Sequence, residues 1–338
     1  FEAVVSAPST ASKRWVYRQY DHEVGTRTAL KPGDDAAIMA IREAAADAGE
    51  ATEAADASGD GVGLALSAGA NPNWTAVAPY DGARAVALEN ATNLAAKGAV
   101  PLAAVDCLNG GNPEKPEVYG GFEGIVDGLA EMCSALATPV VGGNVSLYND
   151  SAAGPLPPPP TLALIGTKRG YDAPPAALDA DAAAESDLLL VGAGGDALGG
   201  SAYLAQAGGS DRFPALPEDP GDLVATLAEI ARHDATLATH DVSDGGLAVA
   251  LAELVTAEAG ADVALPDRVA AFDETPGRLV VQTTDPEAVA EAAGDVPVFR
   301  LGDVTADGTL DLSIEGTAVD ATAAEIRELR GVIGRELA

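Results

Sequence analysis

The sequence predicts an α/β (α+β) fold arranged in two domains. Predicted strands and helices alternate along the chain, which is typical of sheets covered by helices. The length of 338 residues exceeds that of most single hydrophobic cores, which rarely grow much beyond roughly 250–300 residues. A proline-rich segment at 151–164 interrupts the alternation and marks either a domain margin or an exposed loop.

The first half of the chain contains three predicted elements before residue 100. Residues 36–48, AAIMAIREAAADA, predict a helix. Residues 61–68, GVGLALSA, are apolar, suited to a strand and bounded by glycine, so they predict a strand. Residues 79–99 carry small and apolar residues at helical spacing and end in Lys97-Gly98, which is a usual helix stop.

Four further elements complete the first half. Residues 101–106 predict a short buried strand that ends in an acid, and 122–137 predict a helix. Residues 138–149, TPVVGGNVSLYN, predict a strand that runs into a glycine turn. After the prolines, 162–170 resumes as a strand.

The second half repeats the alternation without any internal repeat of 20–50 residues, so a solenoid is not expected. Its predicted elements are a strand at 188–195, a helix start at 199–206, a helix at 222–233, a turn and helix at 239–260, a strand at 278–284 and a helix at 321–334.

The charge is strongly acidic and spread along the chain. There are 52 acidic and 19 basic residues, which give a net charge of −33. Such self-repulsion is tolerable where salt screens it, since the Debye length is about 3 Å at 1 M salt. The composition therefore predicts a halophilic protein, and it argues against nucleic acid as a partner because the sequence shows no basic patch.

Composition also bounds the compartment. Two cysteines are too few for a disulfide framework, and no Cys/His spacing predicts a zinc site. No apolar run of 18 residues predicts a transmembrane helix, and the start FEAVVSAPSTASKRW does not resemble a signal peptide. We expect a cytoplasmic fragment that begins within a longer protein and has no membrane partner.

Asp106 is the first candidate for chemistry, because it lies at the end of the predicted strand 101–106. Ligands of α/β proteins usually bind at carboxyl ends of strands, and a carboxylate there can contact a ribose or base or hold Mg²⁺ through water. An Asx turn or a helix cap explains the same position equally well.

The glycine turn in VVGGNVSLYN is the second candidate. Its glycines let the backbone approach a ligand, Asn144 offers an uncharged oxygen to a metal, and Ser146 offers a hydroxyl to a phosphate. A tight turn without ligand is the alternative. The chain has no GxxxxGK[ST] phosphate loop.

Two glycine-rich turns in the second half, 191–204 and 239–251, place Gly-Gly at predicted helix starts, which are natural phosphate seats. Neither completes GxGxxG. Asp241 and Asp244 flank Ser243, which indicates either a metal site or, as the favoured interpretation, a helix cap.

His22 and His240 are acid/base candidates by residue type, but neither has a Ser or Cys partner at a recognisable spacing. His22 is expected at the surface or an interface. Glu274 and Arg278, which flank a proline turn, are expected to form an internal ion pair.

The order of several motifs resembles the C-terminal half of the large subunit of phosphoribosylformylglycinamidine synthase. They are SKRWVYRQYDHEVGT, NLAAKGAVPLAAVDCLNGGNPEKPE, TPVVGGNVSLYN, LGGSAYL, DVSDGGL and FDETPGR. DVSDGGL alone is shared more loosely across the aminoimidazole ribonucleotide synthetase-like superfamily. NPEKPE and GGNVSLYN are more specific, although Asn109-Gly110-Gly111-Asn112 lacks the aromatic residue usual in this family.

The resemblance implies two domains of the aminoimidazole ribonucleotide synthetase type. An N-terminal-type domain at 1–168 would form half of a barrel of sheet, followed by a C-terminal-type α/β domain at 169–338. It also implies an ATP-dependent C–N ligase of de novo purine biosynthesis, which converts formylglycinamide ribonucleotide and glutamine-derived ammonia to formylglycinamidine ribonucleotide.

By position, the resemblance implies that Asp106 and Gly143 contact ATP, Asn144 binds Mg²⁺ and Ser146 contacts substrate. It implies no catalytic residue in this chain, because the family's catalytic histidines lie in the other half, and neither His22 nor His240 matches them. The implied partners are that missing half, a glutaminase subunit and a small accessory subunit.

Two alternatives remain open. The chain could be a structural half with a decayed nucleotide site that serves as an assembly platform. It could also be another ATP-using enzyme of the superfamily, such as a small kinase. Alone, the fragment is expected to be inactive and to form a homodimer through residues 60–165, because an unpartnered half-barrel would expose apolar sheet.

Overall fold

Two β-sheets, one in each half of the chain, organise the structure, which is a computed structural model describing residues 1–44, 61–152 and 154–337. The predicted α/β class is confirmed. The strands of the first half are β1 Thr28–Leu30, β2 Ala37–Ile41, β3 Val62–Gly69, β4 Val100–Asn109, β5 Val140–Ser146, the short hairpin β6 Asp150–Ser151 and β7 Gly154–Pro155, and β8 Pro160–Arg169.

The first sheet has six strands in the order β1-β2-β3-β8-β4-β5. All neighbours are antiparallel except β4 and β5, which run parallel. The helices of this half are α1 Glu2–Val5, α2 Arg14–Tyr17, α3 Pro72–Val77, α4 Pro79–Ala96 and α5 Pro116–Ala135, with a 3-10 turn at Val24–Thr26.

One face of the first sheet is covered and the other is bare. On the covered face Ala65, Ala104 and Leu164 are buried together with most of α4, in one core. The bare face carries large apolar side chains that are roughly half exposed, and we call this surface the bare face: Met39, Leu66, Leu102 and Val105. Beside them, the edge strand β5 is exposed along nearly its whole length.

The second half contains a seven-stranded sheet in the order β10-β12-β9-β13-β11-β14-β15. Its strands are β9 Asp187–Val191, β10 Thr236–Asp241, β11 Gly260–Leu265, β12 Leu279–Thr283, β13 Val298–Thr305, β14 Thr309–Ile314 and β15 Thr317–Thr322. Its helices are α6 Ala202–Ala207, α7 Pro220–Ala231, α8 Gly246–Leu254, α9 Arg268–Phe272, α10 Pro286–Ala293, α11 Ala323–Arg330 and α12 Val332–Glu336, with a 3-10 turn at Ala183–Glu185.

The amino-terminal segment packs on the second half of the chain. Val4 and Val5 of α1 are buried in the same core as α8 and the second sheet, and Ser12 N donates to the carbonyl of Arg330. The first dozen residues therefore tie the start of the chain to its end. The expected domain boundary between residues 168 and 169 stays a prediction.

One predicted element is wrong. Residues 36–48 were expected to be helical, but Ala37–Ile41 form β2, which pairs with β1 and β3, while residues from 45 onward lie outside the described part. Ile38 and Ala40 point into the core and Met39 points out, a period of two that follows from pairing with neighbouring strands. Tertiary pairing here overrides the helix preference of the alanines.

The other predicted elements are present with shifted ends. The strand β10 extends to Asp241, where the sequence predicted a turn, and the C-terminal helix divides at Gly331. The strands β11, β13, β14 and β15 were not predicted.

Candidate functional site

A pocket of about 340 Å³ lies where the two halves of the chain meet, and we call it the acidic pocket. Among the residues that line it are Asp34, Asp35, His240, Asp241, Asp244 and Glu253. With Lys13 and Arg330, eight titratable side chains line this small volume.

Local structure explains how these groups converge. The turn that precedes β2 carries Asp34 and Asp35, and β10 ends with His240 and Asp241. Lys97 follows Ala96, the last residue of the helix α4, and its side chain extends from the first half of the chain to Asp34 and Asp35. Lys97 is fully buried, and its Nζ donates to the carbonyls of Pro174 and Thr239 at 2.9 and 3.0 Å.

A chain of ion pairs with alternating sign crosses the acidic pocket. Lys97 Nζ lies 2.5 Å from Asp34 Oδ1 and 3.2 Å from Asp35 Oδ2. Asp35 Oδ1 lies 2.5 Å from Nδ1 of His240, whose Nε2 lies 2.8 Å from Glu253 Oε2. Glu253 in turn pairs with Arg330 of α11. Buried charges are tolerated when they are paired in this way.

The pairing fixes the charge state of its members. Burial alone would lower the pKa of His240, but the charges of Asp35 and Glu253 outweigh it and raise the pKa well above its usual value. For Asp35, burial is likewise outweighed by His240 and Lys97, which lower its pKa to about 2. His240 is therefore an imidazolium between two carboxylates, with neither ring nitrogen free to act as a base or to bind a metal.

Beside these ion pairs lie three further carboxyl groups with raised pKa values, which belong to the buried Asp241 and the half-buried Asp244 and Glu89. Burial, and then the charge of Asp35, raise the pKa of Asp241 to about 7. Burial raises the pKa of Asp244 to about 6, and burial with the charges of Asp241 and Asp244 raises that of Glu89 on α4. Burial is the largest cause of all three shifts, so these carboxyl groups take up a proton more readily than exposed ones do.

The donor atoms suit a hard divalent cation such as Mg²⁺. Ligand atoms of Asp35, His240 and Asp241 lie within 4.8 Å of one another. His240 is excluded by its two carboxylate partners, which leaves carboxylate oxygens, the donors that Mg²⁺ prefers. Asp241 Oδ2 is buried and accepts no hydrogen bond from any described residue, while Asp244 accepts one from Asn71 Nδ2 at 2.7 Å. The residues present therefore fit this ion.

The four residues singled out by sequence lie elsewhere, on the neighbouring strands β4 and β5. Asp106 pairs with Gly143 and lies on the face of β4 that α5 covers, near Cys133. Asn144 and Ser146 pair with Cys107 and Asn109 instead, so Asn144 belongs to the bare face. The structure thus brings the four onto adjacent strands but not onto one face, and none of them lines the acidic pocket.

Gly143 is required where it stands. A Cβ at this position would lie 2.1 Å from Asp106 Oδ1, so no larger residue fits beside that carboxylate. Burial raises the pKa of Asp106, which is half-buried. The assignments of Asp106, Gly143, Asn144 and Ser146 to ATP, metal and substrate stay predictions.

The two expected phosphate seats in the second half are filled by a side chain of this protein. Glu274 accepts hydrogen bonds from the backbone amides of Ala202 and Gly245, at the starts of α6 and α8, at 2.7 and 2.6 Å. Its second oxygen accepts from Trp74 Nε1 at 2.9 Å. The expected pair between Glu274 and Arg278 is therefore wrong, and Arg278 pairs with Asp273 at 3.1 Å.

Some residues of the acidic pocket were predicted from the sequence and others were not. His240, Asp241 and Asp244 were candidates by residue type, and the structure shows that Asp244 binds Asn71 and caps no helix. Lys97 was interpreted only as part of a helix stop. Asp34 and Asp35 were not predicted as site residues, although two adjacent acids after Pro32-Gly33 could have indicated them. His22 is partly exposed and lies outside the acidic pocket.

Within the described ranges, no helix is both long and apolar enough to cross a membrane.

Comparisons with known proteins identify relatives of both halves. The family described as AIR synthase related protein, N-terminal domain, matches residues 33–167, and its C-terminal domain counterpart matches residues 185–315. The whole chain is 75% identical to phosphoribosylformylglycinamidine synthase subunit PurL of Halorubrum lacusprofundi, of which it spans 45%. The chain thus spans about half the length of the curated relatives it matches.

Solved structures show the same fold. PurL of Thermotoga maritima complexed with FGAR superposes with a TM-score of 0.70 at 16% identity, over 96% of this chain and 52% of that one. PurL of the same organism complexed with ATP gives a TM-score of 0.56 at 20% identity, over 86% and 40%. At these identities the likeness concerns the fold alone.

Proposed function

The chain belongs to the AIR synthase related family and is homologous over its whole length to subunit PurL, and from this premise we propose that it forms one part of the ligase phosphoribosylformylglycinamidine synthase. The reaction would phosphorylate the amide oxygen of formylglycinamide ribonucleotide with ATP, and ammonia would then displace the phosphate. The observation that carries the proposal is the 75% identity in an alignment that covers the whole chain. The proposed compartment is the cytoplasm.

The acidic pocket would serve this reaction by holding a cation with its nucleotide. Asp241, Asp244 and Asp35 would hold Mg²⁺, which supplies charge neutralisation to phosphate oxygens when bound. Lys13, at the rim, and the buried Lys97 are positioned to balance the carboxylates. The His240 imidazolium would keep Asp35 ionised and oriented, since its Nδ1–H binds one carboxylate oxygen and leaves the other near Lys97.

Asp106, Gly143, Asn144 and Ser146 would serve a second region at the edge of the first sheet. Asp106 and Gly143 would contact ATP, Asn144 would bind Mg²⁺ and Ser146 would contact the substrate. Support comes from their pairing on β4 and β5, whose outer edge is free of any strand in the described chain. Because β5 is so exposed, we propose that this region is completed by the part of the longer protein that is not in this chain.

Partners follow from the same proposal. The remaining portion of PurL would cover the bare face, and the glutaminase and small accessory subunits of the synthase would join the complete protein. The chain alone would bind ligands without turnover, since the implied catalytic histidines lie in the other portion.

Calorimetry with ATP and Mg²⁺ at molar KCl tests the proposal. We would titrate the wild type, Asp241→Asn, Asp106→Ala and the control Asp127→Asn, whose carboxylate lies exposed on α5. Loss of binding in Asp241→Asn alone would place the nucleotide and its cation in the acidic pocket. Loss in Asp106→Ala alone would place them at the sheet edge. Binding by no variant, wild type included, would mean that the site requires the rest of the protein.

A further inference from the structure

A second cavity, of about 520 Å³, is lined by several basic side chains, although basic residues are few in this protein. It lies between α2, α11 and α12 and is lined by Arg14, Arg18, Arg327, Arg330 and Arg335, together with Trp15; we call it the arginine groove. Five of the 19 basic residues of the chain thus line one cavity, although the net charge is −33.

Three of these guanidinium groups are unpaired. The guanidinium groups of Arg14, Arg18 and Arg327 make no hydrogen bond or ion pair with any residue in the described ranges. Elsewhere on the surface arginines are paired, as Arg300 is with both Asp187 and Asp303. Because no acid of the described chain pairs with these three guanidinium groups, the cavity has positive charge available for an anion.

The rest of the arginine groove supports this interpretation. Glu253 is the acidic residue among the described lining residues, and it is already paired with His240 and Arg330. Arg335 donates to the backbone carbonyl of Glu328, which carries no charge to neutralise it. No lining carboxylate therefore remains to neutralise the free arginines.

Shape and chemistry together indicate the class of ligand. The cavity volume falls within the range of small-molecule sites, which are about 300–1,000 Å³. Guanidinium groups bind phosphate through two parallel hydrogen bonds, and such short-range contacts persist where salt screens the long-range repulsion of the acidic surface. Trp15 packs beside Gly334 of α12, so one wall is an indole.

We infer that the arginine groove binds a small molecule that carries two or more phosphate groups. The phosphates belong either to free pyrophosphate or to a nucleoside diphosphate or triphosphate. Arg14 and Arg327 reach the ligand from α2 and α11, and Arg330 links the arginine groove to the acidic pocket, because it lines both and holds Glu253. This site is separate from the proposed cation site and needs no metal.

The experiment measures binding of pyrophosphate and of ADP at molar KCl with EDTA present. Without divalent cations the carboxylates of the acidic pocket repel phosphate, so a signal reports on the arginine groove. Trp15 is half-buried and Trp74 is 2% exposed, so a change in tryptophan fluorescence reports on Trp15. Calorimetry gives the affinity independently.

Arg14→Gln/Arg327→Gln is the test variant and Arg212→Gln/Arg268→Gln is its control. The control removes the same two charges from arginines that are equally exposed but paired with acids. We expect the test variant to bind both probes at least about tenfold more weakly, and the control to bind like the wild type. Trp15→Phe should lose the fluorescence response and keep the calorimetric affinity within about threefold.

The two sources are told apart by their relative affinities. Equal affinities for pyrophosphate and ADP would show that the phosphates alone are recognised. A higher affinity for ADP, together with displacement of bound ADP by pyrophosphate, would show a nucleotide site. The inference is overturned if neither probe binds the wild type, or if the test variant binds as tightly as the control. Equal melting temperatures of the two double variants would show that a loss of binding does not reflect unfolding.

Discussion

Glu274 joins three separate parts of the chain with one carboxylate. It binds the backbone amides at the starts of α6 and α8 and, through Trp74, the helix α3 of the first half. Each bond satisfies a donor that is buried or belongs to a helix start, where amides otherwise lack partners. The same residue therefore closes both glycine turns and fastens the two halves together.

Glu274→Gln is expected to destabilise the protein by about 1–3 kcal/mol. The amide oxygen can still accept from Ala202 and Gly245, but its NH₂ group would face the indole N–H of Trp74, and two donors cannot bond. Urea unfolding at molar KCl, followed by tryptophan fluorescence, measures the change.

Glu291→Gln serves as the control, because that side chain is exposed on α10 and the same substitution removes no partner. Its free energy of unfolding should match the wild type. A Glu274→Gln variant as stable as this control would contradict the role given to the carboxylate.

Lys168 makes stability depend on pH in the alkaline range. Its burial, with the charge of Arg232, lowers its pKa from 10.5 to about 8, while Nζ donates to the carbonyl of Lys97 at 2.9 Å. Between these two values the unfolded chain binds the proton and the folded chain does not, so the free energy of unfolding rises with pH.

We therefore expect the wild type to gain stability relative to Lys168→Met as the pH rises from 8 to 10.5. All other titrating groups are common to both proteins and cancel in the difference. Urea unfolding at several pH values measures it, and a difference that stays constant or shrinks over this range would contradict the assignment.

Residue types alone indicated His240, Asp241 and Asp244, but not what they do. The pairing of His240 with Asp35 joins residues 205 positions apart in the chain, and no spacing rule connects them. Lys97 looked like part of a helix end because its burial depends on β10 and the 174–175 segment, which arrive from the other half. Long-range partners of this kind decide charge states and are not visible in a local pattern.

Among the elements, the strands of the first sheet explain the bare face. Leu66 is 49% exposed between the buried Ala65 and Ser67, and Leu102 is 54% exposed on the same face. A sheet with one face on a core and apolar side chains on the other lacks a partner layer. Another sheet of the same shape would bury these side chains, as predicted for residues 60–165.

The isolated chain is therefore expected to dimerise through the bare face. Sedimentation at molar KCl should show a dimer for the wild type and a monomer for Leu102→Glu, since a buried unpaired carboxylate costs several kcal/mol. Phe299→Glu is the matched control, because Phe299 is 51% exposed on the second sheet and its substitution should leave the dimer intact. A monomeric wild type would contradict the prediction.

Local patterns predicted elements well where helices were long and strands were apolar, as in α4 and β3. The failure over 36–48 has a physical cause, because an alanine-rich run accepts either structure until its neighbours are known. Strands β11, β13, β14 and β15 were missed because they mix polar and apolar residues; β11, β13 and β14 also pair with strands distant in sequence, while β15 joins β14 as a hairpin. Their stability comes from those partners.

At the scale of the whole molecule, the charge of −33 sets the conditions for folding. Relatives from halophilic archaea match the chain along its length, which agrees with the composition. The Debye length grows from about 3 Å at 1 M salt to about 30 Å at 0.01 M, so dilution exposes each carboxylate to many others. Repulsion then favours the expanded chain.

We expect the melting temperature to fall steeply as KCl is lowered from molar to millimolar concentration. Circular dichroism during heating at a series of salt concentrations measures the effect. A melting temperature that does not change with salt would contradict the halophilic interpretation.

The chain of ion pairs also limits how the protein can be divided. Lys97 and Asp35 belong to the first half, whereas His240, Glu253 and Arg330 belong to the second, and α1 packs on the second half from the very start of the sequence. Cutting the polypeptide between the two family matches would separate Asp35 from His240 and Lys97 from the carbonyl of Thr239, and it would remove α1 from the core that it covers. The two parts of the chain match separate family models, but in the folded protein each depends on the other. We therefore expect either part to be insoluble when it is expressed alone.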